Sequence, residues 1–182
     1  MKATGIVRRI DDLGRVVIPK EIRRTMRIRE GDPLEIYTDR EGEVIFKKYS
    51  PIGELAEFAA QYAETLHKTC NMSVIICDRD AVIASSGLPR REFAEKRLSP
   101  ELEKLINARS LYCWKEGNDR LQATVDQSTY HVSCAMPILT EGDIIGCVAS
   151  MSDGSRPSEL NSDLEAKLIQ TAAGFLGRQL ES

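Results

Sequence analysis

The sequence predicts an α+β protein in two parts, a small unit over residues 1–50 and a larger one over residues 51–182. Alternating apolar residues near the start are typical of short strands. Apolar residues then recur with helical spacing, and short apolar runs between 72 and 156 predict a β core closed by a last helix. A length of 182 residues accommodates two small domains of this kind.

The first part reads as a ββαββ unit of fewer than 50 residues. Residues 5–11 alternate as a strand, a turn follows at 11–14, and residues 15–18 return as a second strand. After a short helix, residues 34–38 and 43–48 form a hairpin. So small a unit buries too little apolar surface to be stable alone. We therefore expect an obligate dimer.

The helix between these strand pairs begins near Pro19, a residue favoured at a first helical position. At about 100° per residue, Ile22 and Met26 share one face that can enter a core. The cations Lys20, Arg23, Arg24 and Arg27 fall within roughly 100° on the opposite face. The sequence therefore predicts a helix that offers four positive charges to one partner.

Positive charge is concentrated at the start of the chain. The first 29 residues carry a net charge of +6, whereas the whole chain carries −3. A basic helix face is often only solvated surface, but one sign of charge collected in one segment indicates a polyanion site, with double-stranded DNA as the leading candidate. The predicted DNA-binding residues are Lys2, Arg8, Arg9, Arg15, Lys20, Arg23, Arg24 and Arg27.

A helix over residues 51–69 is expected to connect the two parts, with Ser50 as its cap and Pro51 at its first position. Its apolar residues follow the spacing of a coiled-coil seam, which suits either a second chain or the helix's own domain. The seam consists of Ile52, Leu55, Ala59, Tyr62 and Leu66.

The remaining elements belong to the β core and its helices. Strands are expected near residues 74–77, 81–85, 111–114, 121–125, 130–136 and 144–151, and a helix from Ser99 to about Arg109. The terminal helix, 159–181, has a broad apolar face whose expected partner is the 51–69 helix of the same or a second chain.

Several function classes lack support in the sequence. No signal peptide or membrane-length apolar run is visible. Five cysteines without a C-x-x-C pair favour a reducing cytosol over a disulfide framework. His67 and His131 show no nucleophile–base arrangement, and neither a phosphate loop nor zinc spacing occurs. We therefore expect a cytoplasmic protein that is not an enzyme and needs no cofactor or metal.

The first 25 residues resemble the AbrB family of bacterial transition-state regulators. The resemblance is most specific at residues 14–19 (Gly-Arg-Val-Val-Ile-Pro) and 34–37 (Leu-Glu-Ile-Tyr). It implies that two chains interleave their hairpins in a swapped-hairpin β barrel that binds DNA. The family's DNA-contacting arginines match four positions here, Arg8, Arg15, Arg23 and Arg24.

The second part resembles a GAF domain, on the residues 135–148 (Ala-Met-Pro-Ile-Leu-Thr-Glu-Gly-Asp-Ile-Ile-Gly-Cys-Val). An AbrB module joined by a helix to a GAF domain is similar to a family of sporulation regulators. The resemblance implies activation and repression of sporulation genes in the forespore, association with the nucleoid, a homotetramer assembled through the GAF helices, and a candidate small-molecule effector.

Two alternatives remain open at this point. Swapped-hairpin proteins include antitoxins, although residues 51–182 are too apolar for a disordered toxin-binding tail. Some GAF-fold proteins reduce free methionine sulfoxide with cysteines, which draws attention to Cys113, Cys134 and Cys147. The expected strand positions of these cysteines fit small buried apolar residues better.

Overall fold

The computed structural model describes residues 5–155 and 160–181. The chain divides into two compact units, Met1–Tyr49 and Ser50–Ser182. Within the described part of the chain, no helix is both long enough and apolar enough to cross a membrane.

The first unit contains one helix and one hairpin. Helix α1 spans Lys20–Met26, and strands β1 (Leu34–Thr38) and β2 (Val44–Lys48) pair antiparallel. The turn between the strands is closed by Asp39, whose carboxylate accepts the backbone N–H groups of Glu41 and Glu43. Helix and hairpin lie where the sequence predicts them.

The two strands expected at 5–11 and 15–18 are absent from this chain, and that prediction is wrong for it. The turn between them does form, because Gly14 donates its N–H to the carbonyl of Asp11 and adopts a left-handed φ of 76°. The flanking residues are exposed. Strands need hydrogen-bonding partners along their length, and among the described residues the bond between these two segments is that of the Asp11 N–H to the Arg15 carbonyl, next to the turn.

The start of α1 also differs by one residue from the expectation. Pro19 has an extended ψ of 146° and lies just before the helix, which begins at Lys20. The helix ends where Arg27 adopts a left-handed φ of 53°. There the N–H of Ile28 is donated to the carbonyl of Arg23, as in a Schellman cap.

The second unit is an antiparallel sheet with helices on both faces, in the strand order β4-β3-β7-β6-β5. Its strands are β3 (Ser73–Cys77), β4 (Val82–Ser86), β5 (Tyr112–Cys113), β6 (His131–Thr140) and β7 (Asp143–Ser152). Its helices are α2 (Pro51–Glu54), α3 (Ala56–Cys70), α4 (Arg90–Phe93), α5 (Pro100–Asn107) and α6 (Ser162–Gln179). The strand expected at 121–125 does not form, and only an isolated bridge joins Thr124 to Leu98.

Alternation along the strands separates two cores. On β3, Val74 and Ile76 face the cluster that includes α3 and α6, whereas Ile75 and Cys77 face the cluster that includes α5. Every one of these four residues is fully buried. The sheet is therefore covered on both faces, which explains why its strands read as continuous apolar runs rather than alternating ones.

The connector helix is broken in two at Leu55. Ser50 caps α2 by accepting the N–H of Gly53, as predicted, but Leu55 has a ψ of 20° and the chain restarts as α3. The expected seam packs on its own domain, because Leu66 is buried in the core and Tyr62 stacks on Phe175 of α6 at 5.6 Å. The two helices pair within one chain, so a seam shared between chains through these residues is wrong.

Candidate nucleic-acid interface

Helix α1 presents its cations to solvent. Lys20, Arg23 and Arg24 are all exposed, and no residue of this helix is buried. Arg23 and Arg24 contribute their backbone carbonyls to the helix end, so their guanidinium groups are not required to hold the helix together. Arginine provides planar donors that suit phosphate oxygens and guanine edges.

Arg27 departs from the predicted face. It terminates the helix in the left-handed conformation and is only half exposed, so helical periodicity does not apply to its side chain. Its carbonyl accepts a hydrogen bond from Nζ of Lys48, 2.9 Å away on β2. The predicted cluster of four cations is therefore three exposed helical cations followed by a residue that joins the helix end to the hairpin.

Arg15 is held in place by hydrogen bonds within the loop before α1. Asp11 accepts the N–H groups of Leu13 and Arg15 through Oδ1, and its Oδ2 lies 2.7 Å from Nε of Arg15. These hydrogen bonds from Arg15 lower the pKa of the Asp11 carboxyl below its ordinary value. The Arg15 side chain remains 70% exposed. The loop thus orients one guanidinium while leaving most of it accessible to a partner.

The other predicted residues fall on the same unit. Arg8 and Arg9 are exposed in the segment before the loop. Lys2 lies outside the described residues. Arg23 and Arg24 are brought together on α1, and Arg15 is paired with Asp11 in its own loop.

One buried polar contact of the first unit was not predicted from the sequence. The Asp32 side chain is only 4% exposed, and it accepts the N–H of Arg29 at 2.8 Å while Nζ of Lys48 lies 3.5 Å away. This aspartate fixes the turn after α1 to the end of the hairpin. The only signal was its place in the Glu-Gly-Asp-Pro break at 30–33.

Apolar side chains of the first unit remain on its surface. Twelve of the fifteen exposed large hydrophobic residues in the described chain belong to this unit, whereas all the buried hydrophobic residues belong to the second unit. They are Ile6, Val7, Ile10, Leu13, Val16, Val17, Met26, Ile36, Tyr37, Val44, Ile45 and Phe46. An apolar surface of this kind marks an interaction site.

The second unit contains a polar cavity of about 420 Å³. Its lining includes His67, Tyr130, Ser150 and Glu165, and the Ser150 hydroxyl is hydrogen-bonded to Glu165. Such a volume suits a small polar ligand. In the described residues, no group of three or more His, Cys, Asp or Glu side chains is placed to hold a metal ion.

The histidines do not form a catalytic arrangement. Nδ1 of His67 lies 2.9 Å from the carbonyl of Met72. His131 is 3% exposed, its ring meets Trp114 edge-on, and burial lowers its pKa. Nδ1 of His131 is buried and has no hydrogen-bond partner among the described residues. His67 therefore contacts the backbone that follows α3, whereas the His131 ring packs against Trp114.

Comparison with known proteins identifies the chain. Residues 54–181 match the family model described as Stage V sporulation protein T C-terminal, transcription factor. The whole chain is 52% identical to Stage V sporulation protein T of Bacillus subtilis, over 99% of that protein. The chain belongs to the stage V sporulation protein T family.

Other matches involve the AbrB regulator and an antitoxin model. The transition state regulatory protein AbrB of Bacillus subtilis is 41% identical over 108 residues, 59% of this chain and 96% of that protein. The solved N-domain of the transcription factor AbrB is 65% identical over 27% of this chain and 92% of that chain, with a TM-score of 0.25. Residues 7–53 also match the model described as Antidote-toxin recognition MazE, bacterial antitoxin.

A solved structure also resembles the second unit. The GAF domain/HD domain protein of Geobacter sulfurreducens is 20% identical over 74% of this chain and 99% of that chain, with a TM-score of 0.49. The α+β class expected from the sequence is confirmed, because the structure combines helices with antiparallel sheets.

The functional prediction is confirmed at the level of the family. This member of the stage V sporulation protein T family is a DNA-binding transcription regulator of sporulation. The family model that matches residues 54–181 is described as a transcription factor.

Proposed function

We propose that this protein regulates sporulation genes in the forespore, as activator and repressor, by binding operator DNA sequence-specifically through Arg8, Arg15, Arg23 and Arg24. The observation that carries the proposal is the exposed guanidinium pair on α1, Arg23 and Arg24, in a unit whose first 29 residues have a net charge of +6. The accompanying contacts come from Arg9, Lys20, Arg27 and Lys2. A footprint of bound sites across the native genome would test it, and sites unrelated to sporulation genes would contradict it.

The DNA-binding form is a dimer in which two first units interleave. The support is the exposed apolar surface defined above, which one chain leaves in water and a second chain can cover. Pairing with a second chain would also provide partners for the residues at 5–11 and 15–18, which form no strand alone.

The dimer is tested with a fragment of residues 1–55. Its core residues Val16, Ile36 and Val44 are exposed in one chain, so the fragment should fold only as a dimer and its melting temperature should fall on dilution. A monomeric fragment with concentration-independent melting would contradict interleaving.

The second units are proposed to join two such dimers in a homotetramer. With α3 and α6 paired inside one chain, the contact must use their outer surfaces, and Leu164 of α6 is 45% exposed. Changing Leu164 to Asp should reduce the particle mass in light scattering to that of a dimer. An unchanged mass would exclude this surface, and Glu57→Asp on the exposed side of α3 provides a mild control.

The second unit is also proposed to sense a small-molecule effector. The polar cavity beside His67 and Glu165 supports this proposal. An effector must bind the DNA-competent and DNA-incompetent states with different affinity, so operator DNA must change its affinity by the same factor. Thermal-shift screening of residues 51–182, followed by titration with and without operator, tests this. A compound whose affinity ignores DNA is not an effector.

An antitoxin role is the second candidate, because residues 7–53 match an antitoxin model. Against it, residues 50–182 form a unit with two hydrophobic cores rather than an extended toxin-binding tail. Co-purification of a toxin with the native protein would favour the antitoxin role.

A further inference from the structure

Two cysteines meet at the edge of the second unit's sheet. Cys113 on β5 and Cys134 on β6 are directly opposite in the antiparallel register, and their Sγ atoms are 2.8 Å apart. Both are free thiols. Sequence separation of 21 residues concealed this pair, which has no C-x-x-C spacing.

The backbone geometry also suits a bond between them. The N–H of Cys134 is donated to the Ser150 hydroxyl on β7, whereas the neighbouring Trp114 donates its N–H to Ser133 across the β5–β6 pair. The cysteines therefore occupy a non-hydrogen-bonded position, where opposite Cα atoms lie about 4.5 Å apart. That separation falls within the range that a disulfide requires.

We propose that Cys113 and Cys134 form a reversible disulfide when the protein meets a peroxide. Cys113 is partly exposed and Cys134 is buried, and burial raises the pKa of the Cys134 thiol. The solvent-accessible Cys113 is therefore oxidised first, and Cys134 resolves it. In a reducing compartment, disulfides of this kind are transient and report oxidation.

The chemistry balances with peroxide as the oxidant. The Cys113 sulfur attacks the O–O bond and becomes a sulfenic acid, and the leaving hydroxide takes up the thiol proton and departs as water. The Cys134 sulfur then attacks the sulfenic sulfur, so that the S–S bond forms, the S–O bond breaks and a second water leaves. The two thiols lose two electrons, which reduce the peroxide, and a small-molecule dithiol restores both thiols.

A second cysteine pair in the same sheet provides an internal contrast. Cys77 and Cys147 are opposite one another on β3 and β7, and the thiol of Cys77 donates to the Cys147 carbonyl at 3.5 Å. Both are fully buried, so a peroxide has no access to them in the folded protein. Oxidation should therefore select the pair at the sheet edge.

The disulfide would link the short edge strand β5 to its neighbour β6. Strand β5 is an edge strand with only two paired residues, and the next residue is Trp114, the one tryptophan in the chain. Trp114 contacts the ring of His131. A disulfide at Cys113 should therefore change the emission of Trp114, which gives the reaction an optical signal.

The test treats the reduced full-length protein briefly with hydrogen peroxide, then alkylates it in denaturant. Its intact mass before alkylation should fall by about 2 Da, and alkylated thiols should fall from the five that the reduced chain contains to three, with recovery of five after dithiothreitol. Emission of Trp114 should change and recover in parallel.

Variants separate this pair from the other cysteines. Cys134→Ala should abolish the mass loss and leave a sulfenic acid at Cys113 that dimedone traps. Cys113→Ala should show neither the mass loss nor the dimedone adduct. Cys70→Ala, which changes another partly exposed cysteine, should retain the mass loss. The proposal is overturned if wild-type protein shows no mass loss, or if the loss persists in Cys113→Ala or Cys134→Ala.

Discussion

Replacing Arg23 and Arg24 together with Ala should weaken DNA binding and change its salt dependence without unfolding the protein. Both side chains are exposed on α1, and alanine preserves the helix. Each phosphate contact contributes about 0.9 to the slope of log affinity against log salt. If each arginine contacts one phosphate, two chains lose four contacts, and the slope should decrease by roughly 3.6.

This slope corresponds to a large and measurable difference. Between 50 and 200 mM salt, the wild-type affinity should fall about 150-fold more than that of the double variant. Fluorescence anisotropy with operator and unrelated duplexes at several salt concentrations measures it. An arginine that instead contacts a base should cost about 1–3 kcal/mol on the operator alone.

The matched control is another exposed adjacent pair, Arg90 and Arg91 on α4 of the second unit. Changing this pair to Ala removes the same formal charge from each chain but should leave the salt slope unchanged. The reasoning is refuted if the Arg23/Arg24 variant keeps the wild-type slope and affinity, or if the Arg90/Arg91 variant loses as much.

Three further changes test the structure around this surface. Asp11→Ala should accelerate hydrogen exchange of the loop amides at Leu13 and Arg15 and weaken DNA binding, whereas Asp11→Asn, which keeps a side-chain oxygen acceptor but loses the charge, should retain part of the amide protection. Because hydrogen bonds from Arg15 lower the pKa of Asp11, wild-type protection should be complete above pH 3.8 and should decrease to that of Asp11→Asn as the pH falls through the lowered value. Equal exchange in wild type and Asp11→Ala would argue against the clamp. Leu66→Ala should lower the free energy of unfolding of the second unit by about 2–5 kcal/mol in denaturant, because Leu66 is 6% exposed in the core of its own chain. A smaller particle with an unchanged free energy of unfolding would instead indicate that Leu66 contacts a second chain. His131 has a lowered pKa, so its contribution to stability is present above pH 6.5 and decreases as the pH falls below it; melting temperatures of His131→Gln should depend less on pH between 7 and 5 than those of wild type, and parallel curves would contradict this.

Local chemistry in the sequence was sufficient for several elements. The Ser50 cap with Pro51 fixed the start of α2, and the Asp39–Gly42 turn fixed the hairpin. These features depend on residues within about four positions of one another, so propensity and turn chemistry decide them. The charge segregation at residues 1–29 is equally a property of the sequence alone.

Helical spacing left open which partner the connector helix has. The spacing of Ile52, Ala59 and Leu66 suits a coiled coil or a domain core equally well, and the structure places all three in the core of the same chain. Periodicity identifies the apolar face of a helix but not the surface that covers it.

In the first unit, a sequence pattern typical of a strand does not form a strand. Its alternation at residues 5–11 predicts a strand, yet no strand among the described residues pairs with this segment, and Val7 and Ile10 remain exposed. Intrinsic β propensity expresses fit to a neighbouring strand rather than a backbone preference of its own. The missing strands therefore indicate where a second chain is needed.

The sequence by itself determined the basic segment and the α+β class. Only the tertiary structure decided that Arg15 is clamped by Asp11, that Arg27 leaves the helical face, and that Cys113 meets Cys134 across two strands. The physical reason is that net charge and helical or strand periodicity can be read from neighbouring residues in the sequence. Side-chain contacts between strands depend on strand register, and register depends on the packing of the whole core.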